Sequence, residues 1–142
     1  INAGGLILGS QINRLFLKRY STFQITLFNS VILVILSVLF LINSIYDFGF
    51  IATVVILFLI LFLLGFQNPN TTALSLEPFE KKAGRASALI GSLKMILGAL
   101  TSFIISLFHT SSSIPLAVIL LSCLFISFLL LFQFSKREKA LG

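Results

Sequence analysis

The chain has 142 residues, 58% of them hydrophobic and only 10% charged, with 16 Phe and a formal net charge of +6. A soluble domain needs far more surface charge, so the composition excludes one and indicates an integral membrane protein. Nor does the positive balance indicate a nucleic-acid partner, because the basic residues flank apolar stretches, where an anionic inner leaflet accounts for them.

In chain order the apolar stretches predict a partial span over 1–12, full spans over about 23–42, 48–72, 86–108 and 114–134, and a tail at 135–142. Each full span reaches the roughly 20 residues that a helix needs to cross a hydrocarbon layer of about 30 Å. The first stretch covers only about 18 Å at 1.5 Å per residue. It has no starting Met, basic leader or small-residue cleavage site, which predicts the C-terminal part of a longer protein and not a signal peptide.

Nine of the ten Lys and Arg residues occupy alternate gaps: Arg14, Lys18 and Arg19, then Lys81, Lys82 and Arg85, then Lys136, Arg137 and Lys139. The gaps around Asp47 and His109 contain none. The positive-inside bias assigns the three basic segments, and the C-terminal tail with them, to the cytoplasmic side. Short turns make neighbouring spans antiparallel.

Within the first stretch, Gly5 and Gly9 form a GxxxG pair that admits a second helix backbone, and Asn13 and Arg14 mark the membrane exit. Asn2 and Gln11 on this helix read either as cavity groups or as interhelix hydrogen-bonding groups. Gly9, Asn13, Arg14, Lys18 and Arg19 together resemble the cytoplasmic loop signature of the major facilitator superfamily, which follows the second helix of each six-helix half. Two departures are visible: Asn13 stands where the usual acid would be, and the central Gly is absent. Taken alone, Lys18 and Arg19 also read as an ordinary positive-inside anchor.

The third span ends in a polar run. Pro69 removes a backbone donor and is expected to open the helix near its cytoplasmic end. Gln67, Asn68 and Asn70 are costly in lipid and so face protein or water. They read as a gate or cavity wall, or as amides satisfying the carbonyls that a Pro kink frees. Beyond them, Glu77 and Glu80 beside Lys81, Lys82 and Arg85 read as a solvated charge cluster.

In the fourth span Gly84, Ser87, Gly91, Gly98 and Ser102 recur at spacings that place them on one helix face, as helix packing requires, with Lys94 in the middle of the stripe. Counted from Ala86, Lys94 lies about 12 Å along the helix. A cation at that depth costs on the order of 3 kcal/mol, so it points to a cavity or a partner. It is either a contact for an anionic or polar substrate, a counter-ion for an acid elsewhere, or half of a structural pair.

The run Asn68-Pro69-Asn70, two residues, Ala73-Leu74-x-Leu76-x-Pro78-Phe79, then Ala83-Gly84-x-Ala86-Ser87-Ala88-Leu89, resembles helices ten and eleven of the bicyclomycin-resistance (Bcr/CflA) branch of drug:proton antiporters within the major facilitator superfamily. The resemblance extends over essentially the whole chain, from helix eight (the partial span) to helix twelve. It implies an all-α integral membrane fold, the C-terminal part of twelve helices in two six-helix halves, with substrate held near the midplane and access alternating by rocking. By the same resemblance the activity is proton-coupled multidrug efflux across a bacterial inner membrane. The implied partners are the lipid bilayer, a drug-like small molecule, protons as coupling ion and the N-terminal half of the same protein. Helices eight, ten and eleven would face the cavity while nine and twelve pack outside, in keeping with the almost uniformly apolar spans 23–42 and 114–134. A neutral Gln is common near the position of Lys94 in that family, so Lys94 bears on substrate charge preference.

No Asp or Glu falls inside a span, so a coupling carboxylate would belong to the other half. Catalysis is not expected: one His, one Cys (Cys123) and four scattered acids offer neither a nucleophile with its base nor a ligand cluster, and no metal or cofactor is implied. The competing reading is a non-transporting membrane subunit that helps assemble a larger complex.

Overall fold

In hydrocarbon a chain must satisfy every backbone polar group internally, and long apolar runs do so as helices. The computed structural model describes residues 2–107 and 113–141, without the side chains of 2, 3, 80, 81 and 136–141. The elements are α1 (Asn2–Phe16), α2 (Thr22–Tyr46), α3 (Phe50–Leu76), a 3₁₀ segment (Glu77–Lys82), α4 (Ala83–Leu107) and α5 (Ile114–Leu141). No strand occurs among the described residues, and α2 to α5 are each long and apolar enough to cross a membrane. This is an all-α architecture of the multi-pass membrane kind.

Local chemistry sets the boundaries. Ser21 caps α2 by accepting a hydrogen bond from the Gln24 N–H at 3.3 Å, and α2 ends where Asp47 turns left-handed with φ 51°. Gly49, with φ 100°, completes a turn that side chains other than Gly rarely permit, and α3 starts at once. Helices α1 and α5 both outrun the expected spans. The first continues to Phe16, and the residues expected as a separate tail extend α5 to Leu141.

Side-chain pairings fix the topology. Gly5 lies against Phe58, Gly9 against Phe62 and Asn13 against Asn70, so α1 and α3 run parallel. Asn29 meets Gln67 and Asn43 meets Thr53, which makes α2 antiparallel to α3. Ser113 meets Ser44 at 3.0 Å, while Ser135 shares a cleft with Ser21 at the opposite end, so α5 is antiparallel to α2. The segments carrying Arg14–Arg19, Lys81–Arg85 and Lys136–Lys139 therefore gather at one end of the molecule.

The apolar core, Leu33, Phe40, Ile60 and Ala117, comes from α2, α3 and α5. Within this chain α3 packs between α1 and α2, and α2 between α3 and α5. Seven of its residues, Thr26, Asn29, Ser30, Leu33, Ser37, Phe40 and Asn43, are buried at helical spacing. Its hydroxyls pack as small groups because they bond their own backbone: Thr26 donates to the Thr22 carbonyl at 2.7 Å, and Ser37 to that of Val34 at 2.7 Å. No described residue of α4 is buried.

The expected opening at Pro69 does not occur. Helix α3 runs unbroken through it to Leu76, and the chain bends instead at Phe79 (φ −114°, ψ 29°), just after Pro78. The reason lies in what the flanking residues hold.

Candidate functional site: an amide seam and an exposed lysine

Small residues let α1 and α3 touch backbone to backbone. A Cβ on Gly9 would overlap the Phe62 carbonyl oxygen, and one on Gly65 would lie 2.5 Å from the Leu6 carbonyl oxygen and 3.1 Å from the Gly9 Cα. At Gly5 the nearest atoms, on Phe58, would be 3.3 Å away, so the partner of the GxxxG pair is α3. One turn further on, this approach brings two carboxamides face to face. Asn13 donates to Asn70 Oδ1 at 2.7 Å and Asn70 donates back to Asn13 Oδ1 at 3.0 Å, with the side chains 1% and 2% exposed. Phe16 covers this end by meeting Phe66 edge-on at 6.0 Å.

Across the other face of α3, Asn29 Nδ2 donates to the Leu63 carbonyl and to Gln67 Oε1, both at 2.9 Å. Gln67 Nε2 donates to Ser30 Oγ at 2.8 Å, and Ser30 passes its own hydrogen to the Thr26 carbonyl at 2.8 Å. Gln67 thus ties α3 to α2 while Asn70 ties it to α1. With neighbouring helices gripping both sides of Pro69, the segment stays helical despite the missing donor. Neither amide serves a carbonyl freed by the proline. The backbone bonding there is supplemented by hydroxyls, Thr71 to the Gln67 carbonyl at 2.8 Å and Thr72 to the Asn68 carbonyl at 2.7 Å.

Asn68, the third amide, is exposed on the remaining face of α3. Next to it Lys94 Nζ donates to Thr72 Oγ1 at 2.9 Å, and that hydroxyl hands its hydrogen to the Asn68 carbonyl. Lys94 is exposed, as are Ser87 and every other residue from Gly91 to Leu100. A Cβ on Gly84, Gly91 or Gly98 would meet nothing within 4 Å, so the stripe of small residues on α4 has no packing partner among the described residues. Helix α4 touches the rest of the chain sparsely, at α3, the 3₁₀ segment and α5, and Lys94 makes its hydrogen bond to α3.

The remaining residues singled out in the sequence divide simply. Gln11, Arg14, Lys18 and Arg19 are exposed at or near the end of α1. The side chains of Asn2 and Lys81, and the whole of His109, lie outside the described residues. Among the described residues no three His, Cys, Asp or Glu side chains converge to hold a metal ion. The pairings Asn13–Asn70 and Asn29–Gln67–Ser30 were not foreseen. Their only signal was that an amide in or beside an apolar run needs a partner, which does not say which amide meets which.

Chemically the arrangement separates into two parts. The amide seam holds only neutral, non-titrating groups and transfers no protons. The α3–α4 face presents one cation whose described hydrogen-bond partner is a neutral hydroxyl, which leaves its charge available to an anion, a carboxylate or a polar ligand. No family profile matches the chain, and neither curated proteins nor solved structures show significant similarity to it.

Proposed function

We propose that this chain is the C-terminal part of a secondary active transporter working by alternating access, as a proton-coupled multidrug exporter of the major facilitator type. The observation that carries the reading is Lys94. A cation in the interior of an apolar helix, exposed beside the small residues of α4 and resting on Thr72, supports a water-filled pathway along that face. In this reading the unpartnered face of α4 closes against a preceding six-helix half, which also supplies the coupling carboxylate. The paired helices α1–α3 and α2–α5 form the rigid body that rocks.

The test uses the intact protein with Cys123→Ser and Gly91→Cys. A membrane-impermeant maleimide should label Gly91→Cys, and ethidium or another transported dye should slow that labelling. Lys94→Gln should in addition alter the ratio of cationic to anionic dye efflux in everted vesicles. Resistance of Gly91→Cys to the aqueous reagent would favour the competing reading, a membrane subunit that assembles a larger complex without transporting.

A further inference from the structure

A second feature lies away from Lys94, between the N-terminal end of α2 and the C-terminal ends of α3 and α5. An open cleft of about 660 Å³ runs there, floored by Phe23, Leu74, Leu130 and Phe134. It shares the lining residues Phe23, Leu74 and Glu77 with an adjoining cleft of about 550 Å³ rimmed by Ser21, Thr22, Gln24 and Ser135. The volume suits one bound organic chain, since small-molecule sites commonly measure about 300–1,000 Å³. The chemistry changes along its length, apolar within and hydroxyl- and amide-bearing at the mouth.

Charge at the mouth selects the occupant. Lys18 and Arg19, both exposed, stand three and two residues before Ser21 at the rim. The 25-residue helix α2 also begins here, and its first-turn N–H groups add positive potential at the rim. Glu77 lines the cleft and opposes an anion, but the exposed pair Lys18 and Arg19 outnumbers it. An apolar slot opening into a cationic, hydroxyl-bearing rim at the basic end of a membrane protein matches a lipid with a negatively charged headgroup.

We infer that this cleft is a binding site for an anionic phospholipid, one acyl chain lying along Phe23, Leu74, Leu130 and Phe134 and the phosphate at the Lys18–Thr22 rim. The site is separate from the Lys94 face, and the inference does not depend on the transport reading. Bound there, the lipid ties the ends of α2, α3 and α5 together on one side of the bilayer.

Native mass spectrometry of the delipidated intact protein, titrated with palmitoyl-oleoyl phosphatidylglycerol or with phosphatidylcholine of the same chains, tests the assignment. The wild type should retain phosphatidylglycerol preferentially. Each basic residue near a membrane surface contributes roughly fivefold, so Lys18→Gln with Arg19→Gln should erase most of that preference. Glu77→Gln should strengthen phosphatidylglycerol retention. Leu130→Trp should lower retention of both lipids, with Ser127→Trp at the same wall as a second version should the first not assemble. Leu97→Trp, exposed on α4, is the control and should change nothing. Equal retention of the two lipids by the wild type, an undiminished preference in the Lys18, Arg19 double variant, or indifference to both tryptophans would each overturn the site.

Discussion

Gly5, Gly9 and Gly65 on the α1–α3 seam, and Gly84, Gly91 and Gly98 on α4, follow the same spacing logic, yet they sit in opposite surroundings. The first set is pressed against backbone atoms, with no room for a methyl group at Gly9 or Gly65, while the second meets nothing within 4 Å. Polar residues divide likewise. On the seam Asn13 and Asn70 spend their amide hydrogens on each other, whereas on α4 the exposed Lys94 rests on one threonine hydroxyl. A stripe of small residues therefore marks a surface able to approach another closely. Whether the approach happens within the same stretch of chain is decided elsewhere.

Enlarging one glycine in each set should separate the two surfaces most clearly. Gly9→Val should separate α1 from α3, at a cost of about 1–3 kcal/mol or more for overpacking a backbone contact, read as a fall in thermal unfolding temperature in detergent. A smaller effect is expected from Asn70→Leu, which strands the Asn13 amide in the seam. Interhelix hydrogen bonds in membranes average about 0.6 kcal/mol, so a loss near 1 kcal/mol should appear in the same assay. The double variant Asn13→Leu, Asn70→Leu should recover part of it; no recovery would show that the amides do not act as a pair. Smallest of all, Gly91→Ala should leave the unfolding temperature unchanged, as nothing adjoins it. A loss comparable to that of Gly9→Val would mean that α4 is tightly packed in the intact protein, which would weaken the case for a wet pathway along it. Lys94→Gln belongs with Gly91→Ala in stability and differs from it in function, changing dye selectivity only.

Topology was readable from the chain because it is written in charge. Alternate basic gaps predict spans that return to one side, and the described helices bring those segments to one end. The α1 contact was half readable: Gly5 and Gly9 announce a close partner, but Gly65 is an isolated glycine with nothing in its flanks to say that it faces Gly9. The amide pairs were harder still. Composition shows that Asn13, Asn29, Gln67 and Asn70 cannot face lipid, but pairing is a matter of helix rotation, and Asn13 and Asn70 are 57 residues apart. Pro69 leaves the helix intact for a related reason: Gln67 and Asn70, held by two neighbouring helices, decide the backbone path there against the local effect of a missing donor, and the bend passes to Phe79.

The hydrogen bonds of the seam that ties α3 to α1 and α2 run only between carboxamides, hydroxyls and carbonyls, beside apolar and glycine packing. Such groups carry no formal charge and exchange no proton with their surroundings, so the cohesion of these helices is indifferent to ionic strength and to acidity on either face of the bilayer. A framework of this sort stays mechanically constant while gradients across it rise and collapse, and leaves any response to voltage or pH to the few ionised side chains at its margins.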